Sequence, residues 1–283
     1  MPIYKGNDFV GSRWIGGLRK GSNTIVQGYK GEAVVYGDKP TGISKIDLDY
    51  WYDYSLGSYQ GSTTNYDIGF NTTDGPFDLL LSGSGTTPTY DSSIEGWVFP
   101  ATSKNFTWES PNPAGAVVPL KDNIYSMWWL FKHDNAPVYG FDYDILWSFD
   151  DIPTAGTNSF ELRIAYQAGN YDRPVITIIQ IDTGDTVAWD LTGLGYNFNT
   201  DWNLVQFDYS SASNPTGAAQ LYVNNSLVSS KTWAIGLSFP KFLMRMGQDF
   251  QGKVVAAGAY SSLLDADGRT QLYNYYNSRY TLG

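Results

Sequence analysis

The segments WNLVQFDY at residues 202–209 and AQLYVNNSLV at residues 219–228 decide the fold of this 283-residue chain. Residues 203–209 and 219–223 predict two β-strands, because they are short runs rich in β-branched and aromatic side chains. Asn224 and Asn225 stand between two such runs and predict a hairpin turn, since asparagine tolerates a positive φ. Two strands joined by such a turn indicate an antiparallel sheet.

Further strand signals occur on both sides of this hairpin. The runs Ile124–Phe131, Val175–Ile181 and Lys253–Tyr260 are strand candidates, and residues 160–166 (FELRIAY) alternate apolar with charged side chains. Turn residues separate these runs at short spacing, which is typical of a two-sheet sandwich. The sequence therefore predicts an all-β, antiparallel jelly-roll sandwich.

One short helix is predicted near the C-terminus. Asp265 or Asp267 is a candidate N-cap, and Leu272, Tyr276 and Tyr280 recur at helical spacing on one face. A helix this aromatic is unsuited to a solvated spacer. We expect it to lie against the sandwich.

Residues 1–40 differ from the rest of the chain. They contain short strand candidates broken by glycine, Tyr-Lys-Gly occurs twice, and their net charge is +3, whereas residues 41–283 hold 12 basic and 25 acidic residues. Forty residues of short strands bury little core. We therefore divide the chain into a β-hairpin-rich arm (1–40) and a sandwich domain (41–283). On charge alone, the basic arm fits either an acidic protein partner or an ordinary surface.

Three stretches, taken in order, resemble concanavalin A-like (laminin-G-like) domains, especially the form common in bacteriophage particle proteins. The stretches are residues 48–99 with SYQGSTTNYDI at 58–68 and GWVF at 96–99, residues 202–228, and residues 246–276 with FQGKV at 250–254 and LYNYY at 272–276. Asn225 replaces the glycine usual in the family hairpin. The resemblance implies two stacked antiparallel sheets, a fold that hosts lectins, hydrolases and structural modules.

The arm resembles the short Tyr-Lys-Gly and Val-Tyr-Gly modules that begin some bacteriophage virion proteins. This resemblance implies a structural virion protein, a fibre, decoration or appendage subunit on the virion surface, anchored to other virion proteins through residues 1–40. The expected anchoring residues are Tyr4, Lys5, Trp14, Arg19, Lys20, Tyr29, Lys30 and Tyr36. A homo-oligomer, with a trimer as first expectation, follows from the same resemblance. The start of the chain has no apolar signal-peptide region, so synthesis in the host cytoplasm is expected.

The alternative function is a carbohydrate-binding adhesin that recognises host-surface glycans. Trp51, Tyr52 and Tyr54 form an aromatic cluster in a predicted loop, which would suit a sugar or a protein interface. Asp142 and Asp144 fall on one face of a predicted strand, where they would bind a cation or a sugar hydroxyl. Core packing for the aromatic residues and a solvated strand edge for the aspartates are the competing interpretations.

Enzymatic activity is not expected, so no catalytic residue is assigned. Hydrolases of this fold use closely spaced glutamates, whereas the chain has only Glu32, Glu95, Glu109 and Glu161, far apart in sequence. The single histidine, His133, is expected to be a surface or turn residue rather than a catalytic base.

Composition argues against most other classes of site. The chain has no cysteine, so it has no disulfide or thiolate metal site. No cofactor or metal is predicted, although calcium held by acidic loops stays an open alternative, with Asp201, Asp208, Asp249, Asp265 and Asp267 as loop candidates. Nucleic acid is not an expected partner of this acidic body. No membrane association is expected, because no run of about 18 apolar residues occurs.

Overall fold

A computed structural model describes residues 3–5, 8–11, 47–61, 64–69, 77–100, 105–109, 124–134, 144–150, 160–166, 174–180, 185–210, 217–233, 243–247 and 250–283. Within these ranges the chain forms strands and one helix. The strands are β1 (Ile3–Lys5), β2 (Asp8–Gly11), β3 (Leu48–Asp53), β4 (Thr64–Asn65), β5 (Leu79–Ser82), β6 (Thr89–Asp91), β7 (Gly96–Phe99), β8 (Asn105–Glu109), β9 (Ile124–His133), β10 (Asp144–Asp150), β11 (Phe160–Tyr166), β12 (Pro174–Gln180), β13 (Asp185–Asp190), β14 (Asn203–Ser210), β15 (Gly217–Val223), β16 (Ser226–Trp233), β17 (Leu243–Met246) and β18 (Gly252–Tyr260), and the helix is α1 (Ala266–Tyr280).

Two sheets of eight strands each make up the sandwich. The first has the order β13-β12-β11-β10-β17-β8-β5-β4, and the second has the order β16-β15-β14-β9-β18-β7-β6. Strand β3 joins the second sheet by pairing with β18 beyond the end of β7. The registered strand pairs are antiparallel, which confirms the predicted two-sheet antiparallel sandwich with a C-terminal helix.

The space between the sheets is filled by aromatic side chains. Trp129, Trp147, Tyr50 and Phe207 are fully buried there, and the Tyr50 ring stacks on the Trp147 indole at a centroid distance of 5.6 Å. Large aromatic surfaces removed from water dominate the stability of such a core.

A second apolar cluster lies on the outer face of the second sheet. Helix α1 covers this face, with Leu272 and Tyr276 packed on Trp51 and Trp128. The Trp51 indole Nε1–H donates to the Tyr276 hydroxyl over 3.1 Å. Asp265 caps the helix by accepting a hydrogen bond from the amide of Gly268, so the predicted cap and the predicted packing against the sandwich are both confirmed.

The hairpin predicted from the opening segments is confirmed in detail. Strands β14 and β15 pair from Val205–Val223 to Ser210–Ala218, and β15 continues into β16 through Asn224 and Asn225. Both asparagines have a left-handed backbone, with φ of 50° and 65°.

The described part of the N-terminal arm is a single hairpin. Strands β1 and β2 pair with each other as a two-stranded sheet, which confirms strand candidates at residues 3–5 and 9–10. The remaining strand candidates of residues 12–40 lie outside the described residues.

Candidate functional site

A cleft of about 470 Å³ opens where the C-terminal end of α1 meets the turn between β6 and β7 and the residue before β14. It is lined by Ser92, Ser93, Ile94, Glu95, Trp202, Arg279, Tyr280 and Thr281. Three segments far apart in sequence thus supply aromatic rings, hydroxyl groups and one charge of each sign. The lining is therefore mainly polar, and the Trp202 and Tyr280 rings with Ile94 are its apolar part.

Two aromatic side chains form one wall of the cleft. The Trp202 indole and the Tyr280 ring lie 5.5 Å apart between centroids and tilted by 59°, and both are partly exposed. The Trp202 backbone is fixed by a bridge to Leu282 and by the amide of Gly283, which donates to its carbonyl. The Tyr280 hydroxyl is buried and has no hydrogen-bond partner among the described residues. A ligand or an ordered water is the usual partner of such a group.

Arg279 supplies the positive charge of the cleft and is held by several groups. Its Nη1 donates to the hydroxyls of Ser55 and Tyr275, each over 2.5 Å, and lies 3.9 Å from the Asp53 carboxylate. Its Nη2 lies 4.0 Å from the Glu95 carboxylate. The guanidinium also lies over the Tyr275 ring, 5.2 Å from its centroid. These contacts fix the direction in which the guanidinium points.

Asp53 forms the buried base of this network. Its side chain is 1 % exposed and accepts hydrogen bonds from the amide and hydroxyl of Ser55 and from the Tyr275 hydroxyl. Burial raises the pKa of Asp53, while the Ser55 hydrogen bonds and the Arg279 charge oppose that rise. Asp53 therefore fixes the orientation of Arg279 from the protein interior and does not line the cleft.

The β6–β7 turn supplies a second part of the cleft lining. The Asp91 carboxylate accepts hydrogen bonds from the Ser93 amide and hydroxyl over 2.8 and 2.6 Å, which closes the turn. These hydrogen bonds lower the pKa of Asp91. Glu95 follows with φ of 50° and a side chain that is 50 % exposed. A left-handed backbone at a residue other than Gly, Asn or Asp is uncommon and costs about 1 kcal/mol.

The aromatic cluster predicted as a sugar platform is not at the surface. Trp51, Tyr52 and Tyr54 are at most 3 % exposed, and Trp51 and Tyr52 lie on strand β3 rather than in a loop. Tyr52 and Tyr54 face the space between the sheets, whereas Trp51 faces helix α1. The prediction of an exposed platform is therefore wrong, because the second sheet is covered on both faces.

The other predicted site residues are described only in part. Asp142 lies outside the described residues, and Asp144 begins strand β10. Tyr4 and Lys5 belong to strand β1. Outside the described residues lie Trp14, Arg19, Lys20, Tyr29, Lys30 and Tyr36. The anchoring role of these arm residues stays a prediction.

Two further expectations need correction. His133 is buried at the end of β9 with its ring 5.9 Å from that of Phe250, so it is not a surface or turn residue. Asp208 is not in a loop but on β14, where Gln206 donates to it and Arg269 lies 3.5 Å away. Among the described residues no group of three or more acidic or histidine side chains is arranged to hold a metal ion. Within the same residues no helix is long and apolar enough to cross a membrane.

The residues that line the cleft were not identified from the sequence. Trp202 belongs to the stretch that decided the fold, and Tyr280 was placed on the helix face toward the sandwich, but neither was assigned to a site. Glu95 and Arg279 are 184 positions apart, so only the packing of α1 on the second sheet brings them together. The local signal in the sequence is the Asp-Ser-Ser turn at 91–93 before the strand that carries Trp97.

The fold resembles that of several solved structures, at low sequence identity. The receptor-binding domain of botulinum neurotoxin C/D mosaic serotype matches with a TM-score of 0.57 and 11 % identity, covering 81 % of this chain and 51 % of that one. A Trypanosoma rangeli sialidase in complex with sialic acid matches with a TM-score of 0.56 and 12 % identity, covering 83 % and 34 %. Domain 4 of AbnA, an extracellular arabinanase from Geobacillus stearothermophilus in complex with arabinotriose, matches with a TM-score of 0.52 and 14 % identity, covering 81 % and 100 %.

These likenesses establish the β-sandwich fold. The chain spans about half the length of the toxin domain and about a third of the sialidase. No protein-family model and no curated protein sequence matches the chain. None of the structures named above is a bacteriophage protein.

Proposed function

We propose that this chain is a carbohydrate-binding module and that the cleft beside Trp202 holds the saccharide. The observation that carries the proposal is the pairing of a partly exposed indole with the Tyr280 ring, next to Arg279 and Glu95 in one cleft. A sugar has apolar C–H faces and a rim of hydroxyls. It therefore needs an aromatic surface with charged or amide groups at its edge.

The structural neighbours support this proposal at the level of the fold. Two of these neighbours are complexes with a carbohydrate, the sialidase with sialic acid and the arabinanase domain with arabinotriose. Because a fold does not fix a ligand, the proposal depends on the cleft itself.

Binding without hydrolysis is the activity proposed for this cleft. A retaining hydrolase needs two carboxyl groups about 5–5.5 Å apart that both reach the sugar bond. Here Glu95 reaches the cleft, whereas Asp53 is 1 % exposed beneath Arg279 and Tyr275. A second accessible carboxylate is therefore missing from the residues that line the cleft.

Display of this module on a bacteriophage particle stays a prediction, as do the trimer and the anchoring role of residues 1–40. Light scattering of the full chain beside a shorter chain that begins at Thr41 measures whether the arm drives assembly. Equal molar masses for the two would contradict the anchor as the source of oligomerisation.

A glycan array followed by calorimetric titration of the best glycan tests the proposed function. We expect Trp202→Ala to weaken binding about tenfold or more, and Trp202→Phe to retain most of it, because a phenyl ring still offers an apolar face. Leu80→Ala is the control, since Leu80 is 56 % exposed on the other sheet. The proposal fails if no glycan binds the full chain, or if Trp202→Ala binds as tightly as the wild type.

A further inference from the structure

The charges around the cleft are unbalanced toward the acidic side. Arg279 is the one cation among the lining residues, and its guanidinium lies within about 4 Å of two carboxylates, those of Asp53 and Glu95. Asp91 is a third acidic residue and belongs to the same turn as Glu95, although it does not line the cleft. The positive charge of Arg279 is therefore already neutralised within the protein.

The two carboxylates that face Arg279 differ in accessibility. Asp53 is buried and uses its oxygens on Ser55 and Tyr275, whereas the Glu95 side chain is half-exposed at the edge of the cleft. Glu95 lies 4.0 Å from the guanidinium, a distance longer than a direct hydrogen bond. The Glu95 oxygens are thus placed to accept hydrogen bonds from a ligand.

The backbone conformation of Glu95 supports the same conclusion. Its φ of 50° is a conformation that glycine adopts at no cost and that glutamate adopts only with strain. Backbone strain in folded proteins clusters at ligand-contacting positions, where the side chain is used. The cleft, the accessible carboxylate and the strained residue coincide at one position.

We propose that the cleft binds a neutral saccharide in preference to an acidic one, and that Glu95 determines this preference. The inference rests on the saccharide-binding function proposed above. Glu95 accepts hydrogen bonds from sugar hydroxyls and repels a sugar carboxylate. Two like charges about 4 Å apart in a water-like dielectric correspond to about a fivefold difference in Kd. The acidic body of residues 41–283, with 25 acidic against 12 basic residues, adds to the repulsion at low ionic strength.

The experiment compares matched neutral and acidic glycans. The probes are neutral oligosaccharides and their sialylated or uronic-acid counterparts, first on an array and then by titration of the best neutral glycan and its acidic counterpart at pH 7 and low salt. Wild-type protein is expected to bind the neutral member at least about fivefold more tightly. Glu95→Gln retains the side-chain shape and the backbone strain but removes the charge, so the ratio of the two Kd values should fall toward one.

Two control variants separate the role of charge from that of structure. Asp91→Asn changes a neighbouring acidic group in the same turn, and it should alter the ratio less than Glu95→Gln does. Trp202→Ala should weaken both members of the pair equally. A folded Glu95→Gln protein whose ratio equals that of the wild type, or a wild type that prefers the acidic member, would overturn the inference while leaving saccharide binding intact. Absence of binding to every glycan would instead refute the proposed function and this inference with it.

Discussion

The burial of Asp67 predicts that the protein loses stability as the pH rises from about 4 to about 6. Asp67 is 9 % exposed, and its Oδ1 accepts hydrogen bonds from the amides of Trp51 and Gly69 over 2.9 and 2.8 Å. Its Oδ2 accepts from the amide of Phe77 over 3.2 Å. Burial raises the pKa of Asp67 to about 6, because desolvation of the ionised form outweighs the three amide hydrogen bonds.

The sign of the effect follows from where the two states titrate. In the unfolded chain the carboxyl of Asp67 has its ordinary pKa of 3.8, so between pH 4 and 6 the unfolded state has lost a proton that the folded state retains. The stabilising contribution is complete below the unfolded pKa and is lost as the pH rises through the folded pKa. A shift of about two pKa units corresponds to about 3 kcal/mol in the free energy of unfolding.

Asp67→Asn removes this titration. The side-chain oxygen of asparagine still accepts from Trp51 and Gly69, but its NH₂ group cannot accept from the Phe77 amide, so about 1 kcal/mol is lost at every pH. Urea unfolding followed by tryptophan fluorescence at pH 4.5, 5.5, 6.5 and 7.5 measures both the pH-dependent contribution of Asp67 and the constant loss of the Phe77 hydrogen bond. Relative to wild type, we expect the variant to be least stable at pH 4.5 and to recover by about 2 kcal/mol by pH 7.5, because about 1 kcal/mol of the contribution is already lost at pH 4.5.

Asp91→Asn is the matched control, because Asp91 is an aspartate in an exposed turn and its pKa is lowered by the Ser93 hydrogen bonds. Its contribution is present above the unfolded pKa and is lost only as the pH falls below about 4. The difference in the free energy of unfolding between Asp91→Asn and wild type should therefore stay constant from pH 4.5 to 7.5. Parallel stability profiles for Asp67→Asn and wild type across this range would refute the burial argument.

Four substitutions at three positions test the packing of the helix and the second sheet, each by thermal and urea unfolding beside the wild type. Gly258→Ala places a methyl group 2.2 Å from the Trp128 ring and should cost about 3 kcal/mol; unchanged stability would contradict this packing. Tyr276→Phe leaves the Trp51 indole without its acceptor and should cost about 1 kcal/mol, whereas Tyr276→Ala should cost about 3–5 kcal/mol, and equal costs would exclude a cavity effect. Asp265→Ala removes the helix cap and should cost about 1 kcal/mol, and no loss would show that the cap is dispensable.

The strands were predictable where one physical signal dominated. Strand β11 has the bounds predicted from its alternation, residues 160–166, and the turn at Asn224 and Asn225 follows from the tolerance of asparagine for positive φ. Such signals act within a few residues. They therefore survive whatever tertiary structure surrounds them.

The aromatic run at residues 50–54 shows where local reasoning fails. Asp49 and Asp53 interrupt the apolar residues, so the segment looks like a polar loop that displays rings. In the structure β3 is buried on both faces, between the other sheet on one side and α1 on the other. A strand covered on both faces has no alternating pattern. Its buried Asp53 is satisfied by the neighbouring Ser55 and also by Tyr275 and Arg279, which lie more than 200 positions away in sequence.

The adjacent residues Trp128 and Trp129 show the same burial of a strand on both faces. Adjacent residues of a strand point to opposite faces, and these two indoles do so on β9. Neither leaves the core, because α1 covers the outer face and buries Trp128 completely. The helix thus turns what would be an exposed sheet surface into a second core.

The same helix fixes the geometry of the cleft in which saccharide binding is proposed. Leu272 and Tyr276 pack α1 against the sheet. The next turn of the helix therefore places Arg279 and Tyr280 at fixed positions beside the β6–β7 turn. Arg279 is further fixed by Ser55 and Tyr275, so its side-chain entropy is lost on folding rather than on binding. A ligand that enters a site ordered in advance does not bear that entropic cost, which is the physical basis of affinity in small, shallow sites. Loosening the helix at Tyr276 should therefore weaken saccharide binding even though Tyr276 does not line the cleft.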